Sequence, residues 1–335
     1  MRTHLRSAVA LVAAVATLSL AACSTGPDDE ATDPTGGTDE TTSSESDGAW
    51  PRSVDHDSGT TEIPEQPLRI VSTSITLTGT LLAIDAPVVA SAATSVSPIT
   101  DDNGFFSQWA DVATERGVEV LYPNLELDLE AIEVAEPDLI IGSTIGQDAT
   151  VDAYDQLSEI APTVMLDYGS ATWQDLAAVL GEATGLEDQA AGVVADYDAW
   201  VAEQAAAITL PEQPVTALTY NGAEGGGIFS AGSAQAAVLT AMGFEYVEAP
   251  AELADETRSD VSFVTQENLP SALADVSTLF VVSSDDTQPL LSDPLLANQS
   301  AVVAESVLAL GPTSFRIDYY SASAIVELLV EAYGA

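Results

Sequence analysis

The sequence predicts an α/β fold of two lobes, each with a mostly parallel central sheet, joined by one long rigid helix with a ligand cleft between the lobes. Short apolar strands alternate with helical segments through residues 50–185 and again through 211–335, as in parallel sheets covered by helices. Residues 186–210 lie between these ranges and carry the apolar stripe of a single long helix. Ligands of such sheets bind where the strands end, so the cleft is the expected binding site.

In the first lobe, apolar runs predict strands, and the longer segments between them predict helices. Gly117 closes one of these helices and Pro137 stops another, because glycine and proline both favour helix ends. The predicted strands are 68–71, 87–91, 138–142 and 163–167, and the predicted helices are 77–84, 103–116, 128–136, 150–160 and 172–184.

The linking helix is expected over 186–208, since Pro211 and Pro214 end it. Beyond it the alternation of strands and helices restarts, which predicts the second lobe. The predicted strands there are 215–220, 244–247, 261–263 and 279–282. The predicted helices are 234–242, 266–273 and a final helix at 319–333, with a short helical turn at 294–298.

The N-terminus has the features of a lipoprotein signal peptide. Arg2 and Arg6 precede an apolar run at 8–20, which is too short to span a membrane. Leu20-Ala21-Ala22-Cys23 is a lipobox, and Cys23 is the only cysteine among 335 residues. We therefore expect residues 1–22 to be removed and Cys23 to carry a lipid on the extracytoplasmic face of the cell membrane. An ordinary cleavage site followed by an unmodified cysteine is the alternative.

The segment after the lipobox has the composition of a disordered acidic stalk. Residues 24–48 contain Ser, Thr, Gly, Pro, Asp and Glu but no large apolar side chain, so they cannot bury enough surface to offset chain entropy. We assign 23–49 to the lipidated cysteine and stalk, and the folded part begins at Trp50. With Cys23 lipidated there is no disulfide, so packing alone stabilises the fold.

Charge limits the partners of the mature chain. Removing the signal peptide leaves five arginines, no lysine and 53 acidic residues, a formal net charge of −48. Such a chain is unsuited to nucleic acid and to anionic membrane surfaces. The acidity by itself predicts a strongly solvated surface, and it makes any arginine in a cleft unusual.

Four runs of residues carry a family resemblance. They are Ser72-Thr73-Ser74-Ile75-Thr76-Leu77-Thr78-Gly79, Asp102-Asn103-Gly104-Phe105-Phe106, residues 154–163, and Ser314-Phe315-Arg316-Ile317-Asp318-Tyr319-Tyr320-Ser321-Ala322. Together they resemble the ferric-enterobactin-binding proteins of iron-siderophore ABC importers. The resemblance implies a helix-linked, two-lobed binding protein that captures a ferric siderophore and delivers it to the permease subunits. It implies no catalysis and no cofactor of the protein itself, and we expect a monomer.

The resemblance also suggests which residues contact the ligand. A ferric tris-catecholate is roughly a trianion with aromatic faces, so its site needs cations and ring surfaces. Arg316 matches the arginine of the family motif, Phe229 stands where the family has a stacking tryptophan, and Arg258 matches a basic family position. A core position remains open for Phe229, as does a structural pair with Asp318 for Arg316.

One departure from the family pattern concerns charge. Relatives have an arginine just before the Asp-Asp-x-Gly-Phe run, whereas here Val96-Ser97-Pro98-Ile99-Thr100 occupies that place. There is no cation between Leu81 and Glu115. A ligand less anionic than ferric enterobactin therefore stays open: a hydroxamate, a mixed catecholate–hydroxamate, or a siderophore with cations of its own.

Other ligands and activities have less support. A cobalamin or haem binder of the same architecture is the main alternative. Direct ferric binding by Tyr319 and Tyr320 is a second one, since paired tyrosines can ligate iron. A bare zinc or manganese site would need a histidine cluster, but the mature chain contains His56 alone. Ser72 and Ser74 follow a strand, yet the Gly-x-Ser-x-Gly motif of hydrolases is absent.

Two glutamates are candidates for docking to the permease. Glu130 and Glu267 each open a predicted helix that leads into a strand, at equivalent places in the two lobes. The resemblance implies that one surface glutamate per lobe engages arginines on the membrane subunits. Glu126 is the alternative in the first lobe, and an ordinary helix-dipole pairing is the structural alternative for both.

Overall fold

A computed structural model describes residues 50–169 and 171–334 of the chain. This part contains a β-hairpin and two sheets, one of five strands and one of six. Cys23 and the acidic stalk lie outside the described residues. No helix within the described ranges is both long and apolar enough to cross a membrane.

The first lobe is built on an all-parallel sheet that follows a hairpin. The hairpin is β1 (Arg52–His56) and β2 (Gly59–Ile63); the sheet strands are β3 (Ile70–Ser72), β4 (Val88–Ser91), β5 (Glu119–Val120), β6 (Leu139–Ser143) and β7 (Thr163–Leu166). The strand order is β5-β4-β3-β6-β7, and every pair is parallel. The helices are α1 (Ile75–Ala83), α2 (Ala110–Glu115), α3 (Leu129–Val134), α4 (Tyr154–Ile160) and α5 (Trp173–Thr184).

A single helix of 21 residues, α6 (Glu187–Ala207), joins the lobes. It begins just after Gly185, which ends α5 in the left-handed conformation with φ of 70°. Its side chains Ala190, Tyr197 and Val201 are buried. The predicted linking helix is confirmed to within one residue at each end.

The second lobe is built on a mixed sheet. Its strands are β8 (Val215–Tyr220), β9 (Gly226–Phe229), β10 (Glu256–Thr257), β11 (Val261–Val264), β12 (Thr278–Val281) and β13 (Val307–Ala309), in the order β10-β11-β9-β8-β12-β13. Its helices are α7 (Ala234–Ala241), α8 (Leu269–Ala272), α9 (Gln288–Leu291), α10 (Ser300–Val303) and α11 (Tyr319–Tyr333). Only the β8-β12-β13 half is parallel, whereas β8, β9, β11 and β10 pair antiparallel. The prediction of a mostly parallel sheet is therefore correct for the first lobe and wrong for this one.

One apolar core extends through both lobes by way of the helices. It includes Leu77 of α1, Trp173 of α5, Tyr197 of α6, Phe280 of β12 and Ala322 of α11. The C-terminal helix α11 packs against α1 and α6 as well as α7, so it contacts both lobes. Shared burial of this kind resists large lobe motions, since opening the lobes would expose apolar surface to water.

The helix predicted at 103–116 is much shorter in the structure. The side chain of Asp101 accepts hydrogen bonds from the backbone N–H groups of Asn103 at 2.9 Å and Phe105 at 2.8 Å. Gly104 adopts φ of 83°. Side-chain bonds to the backbone compete with helix formation, and a left-handed residue interrupts it. The helix consequently begins only at Ala110.

Two predictions in the second lobe are wrong in detail. Residues 244–247 form no strand, and only Tyr246 makes an isolated bridge, to Val215. The helix predicted at 266–273 is reduced to α8, with Pro270 in its first turn. Residues 294–298 form turns between α9 and α10, in agreement with the predicted short turn. The N-terminal hairpin, β5, β9, β10 and β13 were not predicted, because strands of two to five residues carry little periodic signal.

Candidate binding cleft

A cavity of about 670 Å³ lies between the lobes and is the candidate site. First-lobe residues just beyond β6 and β7 line one side, and second-lobe residues beyond β8 and β12 line the other. The strand ends of both sheets therefore meet at this cavity, as the sequence predicts. The lining includes Thr76, Ile145, Asp167, Tyr168, Leu176, Asn221, Phe229, Arg258, Asp260, Phe263, Ser283, Phe315, Arg316 and Ile317.

Arg316 supplies a positive charge without a carboxylate partner. It follows a 3-10 turn at Pro312–Phe315 and is half-buried. Its guanidinium carbon lies 4.4 Å from the centroid of the Phe315 ring and 5.4 Å from that of Tyr168. Among the five arginines that the structure describes, it alone makes neither an ion pair nor a side-chain hydrogen bond to another described residue. The alternative of a structural pair with Asp318 has no support in these contacts.

The ring beneath Arg316 is itself held in place. Tyr168 donates its hydroxyl hydrogen bond to Asp148 Oδ1 at 2.7 Å. Asp148 is 5% exposed and also accepts from Ser74 Oγ at 2.6 Å and from the Thr76 N–H at 3.1 Å. Burial, followed by the charge of Asp148, raises the pKa of Tyr168 well above its ordinary value, so the phenol stays neutral and remains a donor. Tyr168 thus presents a fixed aromatic face to the guanidinium.

Tyr168 and Asp148 are cleft residues that were not predicted from the sequence. Tyr168 stands directly after the predicted strand 163–167, so an aromatic residue at a strand's carboxyl end was an available signal. Asp148 had no such signal, because its partners Ser74, Thr76 and Tyr168 are distant in the sequence and meet only in the fold.

Phe229 lies at the cavity wall, but it is almost fully buried. It is the last residue of β9, is 1% exposed, and meets Phe315 edge-on with ring centroids 6.4 Å apart. Phe315 is 39% exposed, so it offers the larger ring surface to a ligand. In this structure Phe229 is therefore a core aromatic that supports Phe315, and its direct stacking on a ligand stays a prediction.

Arg258 is the second arginine of the cavity and is held less closely. Its guanidinium lies over Phe263 at 4.8 Å and pairs with Glu256 at 3.1 Å. The side chains of both partners are 62% exposed, and exposed ion pairs of this kind contribute little. The described lining also contains the carboxylates of Asp167 and Asp260. The described lining thus contains two arginines and two carboxylates, so it carries no excess of positive charge.

The other candidate residues lie outside the cavity. Tyr319 packs edge-on against Trp173 at 5.5 Å and against Tyr320 at 5.2 Å, and burial raises the pKa of Tyr320 to about 12. Neither tyrosine lines the cavity, so the cavity gives no support to direct ferric binding by this pair. No cluster of metal-ligating side chains occurs in the part of the chain that the structure describes. His56 instead bonds to Thr61 Oγ1 at 2.9 Å.

Both docking candidates are exposed. Glu130 lies in the first turn of α3, which Asp128 caps by accepting from the Ala131 N–H at 3.0 Å. Glu267 lies in the turn before α8 and not in a helix, because that helix begins only at Leu269. The expectation that each glutamate opens a helix is therefore correct for Glu130 and wrong for Glu267.

Residues 70–313 match the periplasmic binding protein family. The chain belongs to this family. The match covers both sheets and the linking helix, which confirms the predicted two-lobed α/β fold and the resemblance noted in the sequence.

This periplasmic binding protein has named relatives. It is 43% identical over 287 residues to the ferric enterobactin-binding periplasmic protein FepB of Escherichia coli O6:H1 (strain CFT073), covering 84% of this chain and 90% of that protein. It is 29% identical over 244 residues to the probable siderophore-binding lipoprotein YfiY of Bacillus subtilis (strain 168), covering 71% of each.

Solved structures agree with this assignment. The crystal structure of holo-ViuP superposes with a TM-score of 0.80 at 38% identity, covering 86% of this chain and 96% of that one. PiaA of Streptococcus pneumoniae TIGR4 in complex with ferrichrome superposes with a TM-score of 0.68 at 21% identity, covering 83% and 96%. The second likeness supports the fold alone.

Proposed function

We propose that this protein is the extracytoplasmic substrate-binding component of an iron-siderophore ABC importer. It captures a ferric siderophore of the catecholate type and delivers it to the membrane permease, without chemistry on the ligand. The observation that carries the proposal is the interlobe cavity, where Arg316 lies unpaired over Phe315 and Tyr168. The ligand class is supported by the names of two relatives, the ferric enterobactin-binding protein FepB and the probable siderophore-binding lipoprotein YfiY.

The cavity has chemistry suited to such a ligand. A ferric catecholate presents flat rings and negative oxygen atoms around a metal that is already fully coordinated. Aromatic walls can stack on the rings, and a guanidinium can donate charge-assisted hydrogen bonds to the oxygens. The iron is held by the siderophore, so the protein needs no metal ligands of its own.

A direct titration tests this function. Purified protein should bind at least one ferric siderophore with a Kd of about 1 µM or below, measured by calorimetry. Tryptophan fluorescence is a poor reporter, because Trp109 and Trp173 are 0% and 2% exposed and neither lines the cavity. Tight binding of cobalamin or haem, with no ferric siderophore bound, would overturn the assignment.

Attachment to the membrane is the second part of the proposal. We propose that a lipid on Cys23 holds the protein on the extracytoplasmic face, with 24–48 as a polar tether. The lipobox and the name of the relative YfiY support this part.

Docking is the third part. We propose that Glu130 and Glu267 pair with cations on the permease, one from each lobe. Both are exposed and neither lines the cavity, so they can be changed without touching the ligand site. Charge pairs at the edge of an interface set orientation and association rate more than affinity. Delivery should therefore depend on them while ligand affinity should not.

A further inference from the structure

Asp318 is a buried carboxylate two residues beyond the cleft arginine. It is 3% exposed and is the residue that precedes α11. Taking a carboxylate out of water is costly unless hydrogen bonds compensate. The hydrogen-bond partners of Asp318 therefore indicate which structural role this buried carboxylate has.

The first set of partners connects Asp318 to the backbone of Arg316. Asp318 Oδ1 accepts from the Ser321 N–H at 2.9 Å, and the Asp318 N–H donates to Ser321 Oγ at 2.9 Å. This reciprocal pair is a capping box, which starts α11. Ser321 Oγ in turn donates to the Arg316 carbonyl oxygen at 2.8 Å. The cap thus extends backward to the residue that bears the cleft guanidinium.

The second set of partners comes from the first lobe. Gln108 Nε2 donates to Asp318 Oδ2 at 3.3 Å, across 210 residues of sequence. Gly79 of α1 packs so closely that a Cβ at this position would collide with the same oxygen. Burial raises the pKa of Asp318 to about 6, against the hydrogen bonds from Ser321 and Gln108 that lower it. One carboxylate oxygen therefore caps α11, and the other meets the opposite lobe.

We infer that Asp318 is a positioning residue for ligand binding, which fixes the Arg316 segment against the first lobe. The guanidinium of Arg316 contacts one ring from each lobe, since Phe315 belongs to the second lobe and Tyr168 to the first, so its position depends on how the lobes pack. A shift of the 316–318 segment would move the charge off the Tyr168 ring. Asp318 prevents that shift through Ser321 on one side and Gln108 on the other. The inference rests on the proposed function only in assuming that Arg316 contacts the ligand.

A double-mutant cycle tests the link between Asp318 and Arg316. Asp318→Ala should weaken binding of a ferric tris-catecholate by roughly 5- to 10-fold, the scale of one lost hydrogen-bonded anchor. In an Arg316→Ala background the same change should cost less than twofold, because there is no guanidinium left to position. Asp318→Asn should restore most of the affinity, since asparagine also caps helices and its amide can pair with Gln108.

Two first-lobe variants keep the test decisive if Asp318→Ala fails to fold. Gln108→Ala removes the cross-lobe donor, and Gly79→Ala pushes on Asp318 Oδ2; neither residue lines the cavity. Each should weaken binding by about threefold or more, and each should lose that effect in the Arg316→Ala background. Gly192→Ala is the matched control, because a Cβ there meets nothing within 4 Å, and its affinity should equal that of the wild type.

The outcomes separate this inference from the proposed function. If the wild type binds a ferric siderophore but Asp318→Ala costs the same with and without Arg316, Asp318 is merely structural and the inference is wrong. The inference also fails if Asp318→Ala leaves affinity unchanged or if Asp318→Asn restores none of it. If the wild type binds no ferric siderophore, the proposed function itself fails.

Discussion

Replacement of Arg316 by alanine is the most direct perturbation of the proposed site. A charge-assisted contact to an anionic ligand contributes about 1.5–3 kcal/mol, so Kd should rise by roughly 10- to 150-fold. In the unliganded protein the guanidinium makes only ring contacts, at 4.4 Å and 5.4 Å. At a half-buried position these two ring contacts contribute about 1 kcal/mol in total to the free energy of unfolding. The thermal midpoint of the unliganded protein should therefore fall by only about 2–4 °C.

Calorimetric titration with a ferric tris-catecholate, together with thermal unfolding of the unliganded protein, measures both quantities. Arg116→Ala is the matched control, because Arg116 pairs with Asp85 at 2.6 Å and does not line the cavity. Arg258→Ala should weaken ligand binding less than Arg316→Ala does, since the Arg258 side chain is 62% exposed and already paired with Glu256.

Salt adds a second readout of the same contact. Raising NaCl from about 0.05 M to 0.5 M should weaken wild-type binding more than it weakens Arg316→Ala, because screening acts on the charge that the variant lacks. Arg316→Ala binding within twofold of wild type would refute the assignment of this arginine to the ligand. A stability loss as large as the binding loss would mark Arg316 as structural.

Four further predictions concern the anchor, the ligand, docking and pH. Cys23→Ser should abolish metabolic lipid labelling and release a folded binding domain from membranes; a protein that stays membrane-bound after salt washing would contradict the lipobox interpretation. Calorimetry with free Zn²⁺, Mn²⁺ or Fe³⁺ should show no binding at micromolar concentrations, and a bare ion that binds this tightly would argue against a siderophore. Combined Glu130→Ala and Glu267→Ala changes should leave the Kd for the ferric siderophore unchanged while sharply reducing siderophore uptake and stimulation of the transporter ATPase. Normal uptake by the double variant at wild-type expression would show that neither glutamate belongs to the docking site. The pKa of Asp318 is raised from 3.8 to about 6, so the folded state holds its proton more tightly than the unfolded state and gains stability at low pH. This contribution is lost as pH rises from about 4 to 6, so the unfolding free energy of the wild type relative to Asp318→Asn should fall across that window. A difference that stays flat with pH would contradict this prediction.

Most of the architecture could be predicted because its signals are local. The linking helix is readable from an apolar stripe between two prolines, and β3, β4, β6 and β7 are readable as buried apolar runs. The antiparallel pairing in the second sheet was not predicted, because two of its strands, β9 and β10, are short and polar or glycine-rich. The helix at 103–116 was overestimated, since the Asp101 side chain competes for backbone N–H groups at its start.

In the candidate site too, features set by local sequence could be predicted, whereas features set by the packing of the two lobes could not. The family resemblance of the sequence predicted that Arg316, Arg258 and Phe229 lie near the ligand, and all three line the cavity. Only the tertiary structure decided that Phe229 is buried behind Phe315, and that Tyr168 is the ring beneath Arg316. Local sequence controls helix periodicity and capping within a few residues. Which ring a guanidinium meets depends on how two lobes pack, and that contact joins residues more than a hundred positions apart.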